Sequence, residues 1–150
     1  MTADRDWLLA AIELSRSCPV ATTAYAVGAI IVGTGGELAR GYSRESGPAD
    51  HAEETALTRA AGDLRGATIY TSLEPCTVRH SRSRTCTDLI LAAGLRRVVF
   101  ALREPPLFAD CHGAETLRAG GVEVLELADL AGLVRQVNGH LFGEGAAHGR

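Results

Sequence analysis

The sequence contains no lysine: all 15 of its basic residues are arginine. Chemistry that needs a lysine amine, such as a Schiff base or the phosphate-binding lysine of a P-loop, is therefore excluded. Aromatic residues are also scarce, 7 of 150, and the formal charge is -3. A nucleic-acid surface with stacked rings and a basic footprint is not expected, so long nucleic acids are not expected as partners.

Long apolar runs are missing too. No run reaches the ~20 residues that a membrane-spanning helix needs, and the chain begins with the spacing of an amphipathic helix rather than with an export signal. We therefore expect a cytoplasmic protein without a membrane partner. The four cysteines are Cys18, Cys76, Cys86 and Cys111. In a reducing compartment they favour metal binding or a reactive thiol over a disulfide framework.

Length and composition fit one globular domain. The chain has 150 residues, 46% of them hydrophobic and 22% charged, and a chain of this size buries roughly 70% of its extended surface. No linker-like segment interrupts residues 1–142, whereas residues 143–150 consist mostly of glycine, alanine, histidine and arginine. The prediction is a single domain over 1–142 and a flexible tail over 143–150.

Hydrophobic periodicity and the positions of chain-breaking residues predict strands that alternate with helices. The predicted elements are a helix over 4–16, a hairpin of strands over 26–32 and 37–42, a helix over 51–61, a strand over 67–71, a helix over 85–93 between Thr85 and Gly94, a strand over 96–102, a helix over 114–119, a strand over 122–125 and a helix over 127–142. Strands alternating with helices favour parallel pairing with helices on both faces, and the opening hairpin makes the sheet mixed. The sequence therefore predicts an α/β fold, a three-layer α/β/α sandwich with a mixed five-stranded sheet.

Three short motifs carry residues that can bind a metal. They are His51-Ala52-Glu53 at a helix start, Pro75-Cys76 after a strand, and Cys86 at the next helix start. In open α/β sheets, strand ends and helix starts gather ligands at one edge. One histidine and two cysteines suit zinc, and three protein ligands leave one coordination position open, as in catalytic sites. We therefore predict that His51, Cys76 and Cys86 hold one zinc ion per chain.

Glu53 has two alternative roles. It lies two residues from His51, about 200° around a helix, so it is not expected to share that direction and is better placed to reach water or substrate than the metal. Histidine-x-glutamate followed by proline-cysteine-x-x-cysteine is typical of zinc nucleobase deaminases, in which the glutamate is general acid and base. Here, however, nine residues instead of two separate the cysteines. The structural alternative is a capping box with Asp50 as N-cap and Glu53 as its N3 residue.

These motifs resemble those of the cytidine-deaminase-like superfamily and, within it, the deaminase domain of bifunctional riboflavin-biosynthesis enzymes, which has a similarly long insertion between its cysteines. The similarity covers nearly the whole chain. Its further segments are residues 27–32, 72–76, 92–99, 117–124 and 137–142. The resemblance implies zinc-dependent hydrolytic deamination with Glu53 as the proton shuttle, and a homodimer or tetramer. In bifunctional members a reductase domain follows the last segment, so we expect a stand-alone deaminase.

The resemblance also implies which residues contact the substrate. The candidates are Tyr25, Ala52, Glu104 and His112 for the ring and, in the inter-cysteine insertion, Arg79, Arg82 and Arg84 for a substrate phosphate. An exposed arginine-rich loop is equally consistent with a solvated charge run. Cys18, Cys111 and His80 are not expected to be metal ligands.

Several substrate positions differ from the family pattern. Ala24 stands where the family has an asparagine, Val78 where it has a histidine, and residues 104–107 read Glu-Pro-Pro-Leu instead of Asp-Pro-Asn-Pro. The expected substrate is a small amino-substituted pyrimidine-type heterocycle, with or without a phosphate. The alternatives are a deaminase of another nucleobase, nucleoside or nucleotide, and a non-catalytic zinc-bound interaction domain.

Overall fold

The computed structural model describes residues 2–77, 84–105 and 112–141. Its elements are, in chain order, α1 (Thr2–Ser15), β1 (Gly28–Gly33), β2 (Gly36–Tyr42), α2 (Ala52–Arg59), β3 (Thr68–Leu73), α3 (Cys86–Ala93), β4 (Arg97–Leu102), α4 (Gly113–Ala119), β5 (Glu123–Glu126) and α5 (Ala131–Val137), with 3-10 turns at Ala128–Leu130 and Gly139–Leu141. Within these ranges no helix combines the length and hydropathy that a bilayer crossing requires. The tail predicted over 143–150 lies outside the described residues and stays a prediction.

The five strands form one sheet in the order β2-β1-β3-β4-β5. β1 is antiparallel to both β2 and β3, whereas β4 is parallel to both β3 and β5. The pairing therefore changes direction at β3, because a tight hairpin joins the first two strands while helices connect the later ones. The predicted mixed five-stranded sheet is confirmed.

Two glycines show that helices pack on both faces of the sheet. A Cβ at Gly28 would lie 2.1 Å from the carbonyl oxygen of Ala11 in α1, and one at Gly41 would lie 2.8 Å from Thr55 in α2. Gly41 pairs with Ala29, the neighbour of Gly28, so the two glycines face opposite sides. α5 packs with α1, and α3 packs between α2 and α4. The predicted three layers are confirmed.

The helix predicted over 127–142 is divided into α5 and two short 3-10 turns. The break after α5 is at Asn138, which is completely buried. Its amide accepts a hydrogen bond from the backbone nitrogen of Ala26 at 2.7 Å and donates to the carbonyl of Ala26 at 3.2 Å. It also donates to the carbonyl of Val134 at 3.1 Å. An asparagine that uses its amide in this way caps the helix, so α5 ends at Val137.

α1 is fixed to the sheet by a partly buried ion pair. Both carboxylate oxygens of Asp4 accept hydrogen bonds from Arg97 on β4 at 2.7 Å, and the hydroxyl of Tyr70 on β3 donates to Asp4 at 2.7 Å. The pKa of Asp4 is lowered from 3.8 to about 2, mainly by the hydrogen bonds from Arg97. The carboxylate is therefore ionised and fully paired at neutral pH.

Candidate metal centre and active site

The three predicted donor residues lie at one edge of the sheet. His51 is the N-cap of α2, with extended backbone angles (φ -94°, ψ 153°). Cys76 follows β3 by three residues, and Cys86 is the first residue of α3. Thr87, the next residue, donates from both its backbone nitrogen and its hydroxyl to the carbonyl of Cys76, at 3.2 and 3.0 Å. The start of α3 is thereby fixed against the end of β3.

The donor atoms converge with the spacing that a metal requires. His51 Nδ1 lies 3.3 Å from Cys86 Sγ and 3.6 Å from Cys76 Sγ, and the three donor atoms all lie within 4.8 Å of one another. A nitrogen and a sulfur that share a tetrahedral zinc, at about 2.1 and 2.3 Å, are separated by about 3.5 Å. The donor cluster, defined as His51, Cys76 and Cys86, therefore fits one zinc ion both in chemistry and in spacing.

The surroundings of Cys76 favour its thiolate. Hydrogen bonding from Cys86 is the largest cause that lowers its pKa, and His51 lowers it further. The backbone nitrogen of Cys86, at the start of α3, donates to Cys76 Sγ at 3.3 Å. A helix start carries unpaired N–H groups and partial positive charge, so this position stabilises the charged form that binds metals.

Glu53 faces the donor cluster from the first turn of α2. Its Oε1 lies 3.6 Å from Cys86 Sγ, and its Oε2 accepts a hydrogen bond from the hydroxyl of Thr71 at 2.8 Å. The side chain is buried. Burial raises the pKa of Glu53, and the charge of Cys76 raises it further. Glu53 thus brings a carboxyl group that can hold a proton to the side of the metal donors.

Two expectations about Glu53 need correction. The capping residue is Glu54, whose Oε1 accepts a hydrogen bond from the backbone nitrogen of His51 at 3.3 Å. The box is displaced by one residue because His51, not Asp50, is the N-cap. The 200° separation expected within a helix does not apply, because His51 precedes α2 and its Nδ1, like Oε1 of Glu53, lies beside Cys86 Sγ.

Glu74 organises the loops around the donor cluster and was missed by the sequence analysis. It is 2% exposed and accepts hydrogen bonds from the backbone nitrogens of Glu104 and Ala114, both at 2.9 Å. A charged residue between the apolar Leu73 and Pro75 at a strand end was the available signal. Thr71 was also missed, because a β-branched residue inside a strand carries no sign of a functional contact.

The other predicted ring contacts lie in loops that meet this edge. The backbone nitrogen of His112 donates to the hydroxyl of Thr77, directly after Cys76, at 3.0 Å. Glu104 is half-buried and is held by Glu74. The hydroxyl of the buried Tyr25 donates to the carbonyl of Pro105 at 3.2 Å.

The remaining predicted substrate contacts are a core residue, an exposed arginine and residues outside the described ranges. Ala52 is completely buried in the main core, so its methyl group does not line an open surface. Arg84 is exposed, two residues before Cys86. Arg79, Arg82, His80 and Cys111 lie outside the described residues.

Comparison with known proteins gives one family. A family model described as "Cytidine and deoxycytidylate deaminase zinc-binding region" matches residues 1–102. The diaminohydroxyphosphoribosylamino-pyrimidine deaminase of Schizosaccharomyces pombe is 36% identical over 126 residues, which cover 81% of this chain and 31% of that protein. The riboflavin biosynthesis protein RibD of Aquifex aeolicus is 42% identical over 98 residues, covering 65% of this chain and 27% of that protein.

Solved structures give the same likeness. The diaminohydroxyphosphoribosylaminopyrimidine deaminase/5-amino-6-(5-phosphoribosylamino)uracil reductase of Thermotoga maritima superimposes with a TM-score of 0.82 and 32% identity, covering 93% of this chain and 40% of that one. The chain thus spans about a third of the length of the curated relatives that it matches.

Proposed function

We propose that this chain, which belongs to the cytidine and deoxycytidylate deaminase zinc-binding family, hydrolyses the amino group of a pyrimidine-type heterocycle and releases ammonia. The reaction would be that of the diaminohydroxyphosphoribosylaminopyrimidine deaminases to which the chain is similar. The observation that carries the proposal is the position of Glu53, a buried carboxyl group 3.6 Å from the sulfur of Cys86.

A structural zinc site does not need such a carboxyl group. Structural sites usually complete four protein ligands, whereas three ligands leave room for water or substrate. Among the described residues, the metal-donor group contains His51, Cys76 and Cys86 and no fourth member. A buried acid beside three ligands therefore favours catalysis over the alternative of a non-catalytic interaction domain.

The reaction assigns a separate task to each group. A zinc ion held by His51, Cys76 and Cys86 would supply the Lewis acidity that activates water at neutral pH. Glu53 accepts a proton from the attacking water and delivers it to the ring nitrogen beside the amino-bearing carbon. It then passes a second proton to the departing amine. One water is consumed, the carbon becomes a carbonyl, and one ammonia leaves.

Thr71 and Glu74 position these groups. The Thr71 hydroxyl fixes Oε2 of Glu53, which leaves Oε1 facing the donor cluster. Glu74 ties the loop after β4 and the start of α4 to the segment that carries Cys76. These contacts set the geometry before substrate arrives, so that little reorganisation is needed in the reaction.

The relatives' names imply a phosphorylated pyrimidine substrate, and the arginine-rich insertion supports it. Arg79, Arg82 and Arg84 lie between two metal ligands in the sequence, and a guanidinium matches a phosphate with two parallel hydrogen bonds. We also propose a homodimer or tetramer that works in the cytoplasm, where the cysteine ligands stay reduced.

A deaminase of another nucleobase or nucleotide is the second candidate. It is favoured by Ala24, which stands where the family pattern has an asparagine. An alanine cannot replace the hydrogen bonds of an asparagine, and sites that recognise polar groups discriminate strongly through them.

Ammonia release from a panel of substrates tests the proposal. The panel holds amino-pyrimidines and amino-purines as bases, nucleosides and phosphates, including the pyrimidine nucleotide that the relatives' names describe. We expect turnover of a phosphorylated pyrimidine by the zinc-loaded protein, and none by its Glu53→Gln variant. The absence of ammonia release from every member, with one zinc per chain verified, would contradict the proposal.

A further inference from the structure

A cavity of about 210 Å³ lies beside the last turn of α1. Its walls come from the end of α1 and the segment after it, from Arg44 in the loop between β2 and α2, and from the end of α5. None of the donor cluster lines it, nor does Glu53. It is therefore a different surface from the metal centre, although both adjoin the loop between β2 and α2.

The walls of this cavity hold two arginines and no acidic side chain. Arg16, Arg44 and His140 line it, and no aspartate or glutamate does. Arg16 pairs with Glu13 at 3.2 Å. Arg44 has no carboxylate partner among the described residues. The side chain best able to hold an anion in the cavity is therefore Arg44.

Arg44 uses only part of its hydrogen-bonding capacity. Its Nη1 donates to the carbonyl of Tyr25 at 3.2 Å, and its Nη2 donates to the carbonyl of Pro19 at 2.8 Å. Its Nε is buried and has no partner within the described part of the chain. A guanidinium carries five N–H donors, and these two contacts leave one further N–H on each of Nη1 and Nη2 for a bound acceptor.

We propose that this cavity binds a phosphate group through the Arg44 guanidinium. Ordinary ligand pockets measure roughly 300–1,000 Å³, so the volume suits a small group. Arg44 carries a positive charge that no described carboxylate pairs with, and this charge favours a dianion over a monovalent carboxylate. The planar guanidinium matches the spacing of two phosphate oxygens.

The position of Arg44 links this cavity to the metal centre. Its backbone nitrogen donates to the carbonyl of Asp50, directly before His51, at 2.8 Å. Its φ of 58° is in the left-handed region, which is unusual for a residue other than glycine. A phosphate on Arg44 would therefore stabilise the loop that leads to His51. The phosphate has two possible sources, free inorganic phosphate or the phosphate group of a substrate, since Ala24 also lines the cavity.

Calorimetric titration of the zinc-loaded protein with inorganic phosphate tests the proposal, with sodium chloride at equal ionic strength as the reference. We expect binding to wild type and a dissociation constant raised at least ~10-fold in Arg44→Gln, as for the loss of a charge-assisted hydrogen bond. Arg59→Gln is the matched control. Arg59 also donates to a backbone carbonyl, that of Arg40, but it does not line the cavity, and its variant should bind like wild type.

A second variant keeps the test independent of folding. Val20 lines the cavity with its side chain largely in solvent, 86% exposed. Val20→Glu adds a negative charge while leaving the hydrogen bonds of Arg44 intact, and it should weaken phosphate binding as well. Failure of phosphate to bind wild type above the chloride reference would overturn the proposal, as would wild-type binding by both Arg44→Gln and Val20→Glu.

Kinetics identify the source of the phosphate. If the substrate supplies it, Arg44→Gln raises KM at least ~10-fold for the phosphorylated pyrimidine and leaves KM for its dephosphorylated analogue unchanged. If the ligand is free phosphate, both KM values stay at the wild-type level while the titration still shows the loss. Because the titration needs no turnover, failure of the proposed deamination would leave its result interpretable.

Discussion

Asp4 on α1 and Glu53 on α2 are carboxylates on opposite faces of the sheet, and both are 4% exposed. Their surroundings nevertheless move their pKa values in opposite directions. Arg97 lowers the pKa of Asp4 to about 2. Burial raises the pKa of Glu53, whose neighbours are a threonine hydroxyl and two cysteine sulfur atoms rather than a guanidinium.

The difference shows how equal burial serves two purposes. Asp4 has its charge neutralised by two parallel hydrogen bonds from Arg97, so it holds α1 in place and has little capacity for proton transfer. Glu53 is fixed in position by Thr71, and no arginine among the described residues pairs with it, so it can gain and lose a proton. A buried carboxylate that is paired with a cation indicates a structural role, whereas a buried carboxyl group without such a partner indicates a role in proton transfer.

Removal of a metal ligand should give the largest effect. Cys86→Ala takes one of three donors away from the cluster that Glu53 faces, and we expect zinc content to fall below about a tenth of one ion per chain, with loss of deamination. Metal analysis of the purified protein measures this. Cys18→Ala is the control, because the half-buried Cys18 lies outside the donor cluster. Full zinc occupancy in Cys86→Ala would contradict the assignment.

Glu53→Gln should lower kcat by at least ~10²-fold, the lower range for loss of a general acid and base. Zinc content and the free energy of unfolding should stay close to wild type, since the amide keeps the shape of the side chain. Glu54→Gln is a control on the neighbouring residue, because Glu54 caps α2 and its loss should leave kcat unchanged. A wild-type rate in Glu53→Gln would reduce Glu53 to a structural residue.

Asp4→Asn should destabilise the fold by about 2 kcal/mol at neutral pH without changing zinc content, because a pKa shift from 3.8 to about 2 corresponds to that free energy. Since the folded pKa is depressed, the contribution is complete above the unfolded pKa near 3.8 and is lost as pH falls through about 2. Urea unfolding of the wild type and of Asp4→Asn over a series of pH values measures the difference in their free energies of unfolding.

Wild type and Asp4→Asn have the same metal ligands, so the effect of acid on those ligands cancels in the difference between their free energies of unfolding. We expect the curves to converge between pH 4 and pH 2, the window that the pKa values of 3.8 and about 2 define. Asp129→Asn is the control, because its pair with Arg5 is exposed on both sides and its loss should change stability little. A constant gap down to pH 2 would show that Asp4 stabilises by packing and not by charge.

Thr71→Val should give the smallest effect, a decrease in kcat of about 5- to 13-fold, because one hydrogen bond to the carboxyl group is worth ~1–1.5 kcal/mol. Valine preserves the shape of the completely buried threonine. Thr71→Ser restores the hydroxyl and should recover most of the rate, which a packing role would not explain. Equal rates for the serine and valine variants would remove Thr71 from the positioning of Glu53.

Local signals predicted the elements well. The bounds of α3 follow from Thr85, which accepts a hydrogen bond from the backbone of Asp88, and from Gly94, whose φ of 81° suits glycine. The break at Asn138 was missed because its cause is a contact with Ala26, 112 residues away in sequence. The tether of Asp4 to Arg97 spans 93 residues and was equally invisible.

The candidate site could be predicted in its residue types but not in its supports. Histidine and cysteine can be recognised as candidate metal ligands from their residue type and from their positions at strand ends and helix starts. Thr71 acts through a hydrogen bond to Glu53 that its position in a strand does not reveal. Glu74 acts through the backbone of two loops that lie far from it in the sequence. The one-residue displacement of the capping box came from the conformation of His51, which no periodicity determines.

The change of pairing direction at β3 has a consequence for folding. His51 precedes β3 and follows the antiparallel hairpin, Cys76 follows β3, and Cys86 opens the helix that leads to the parallel strands. An ion bound by these residues would cross-link the hairpin half of the sheet to the crossover half. Such a cross-link closes loops in the chain and reduces the entropy of the unfolded ensemble. A bound ion would therefore stabilise the joined arrangement of both halves on their shared strand, β3.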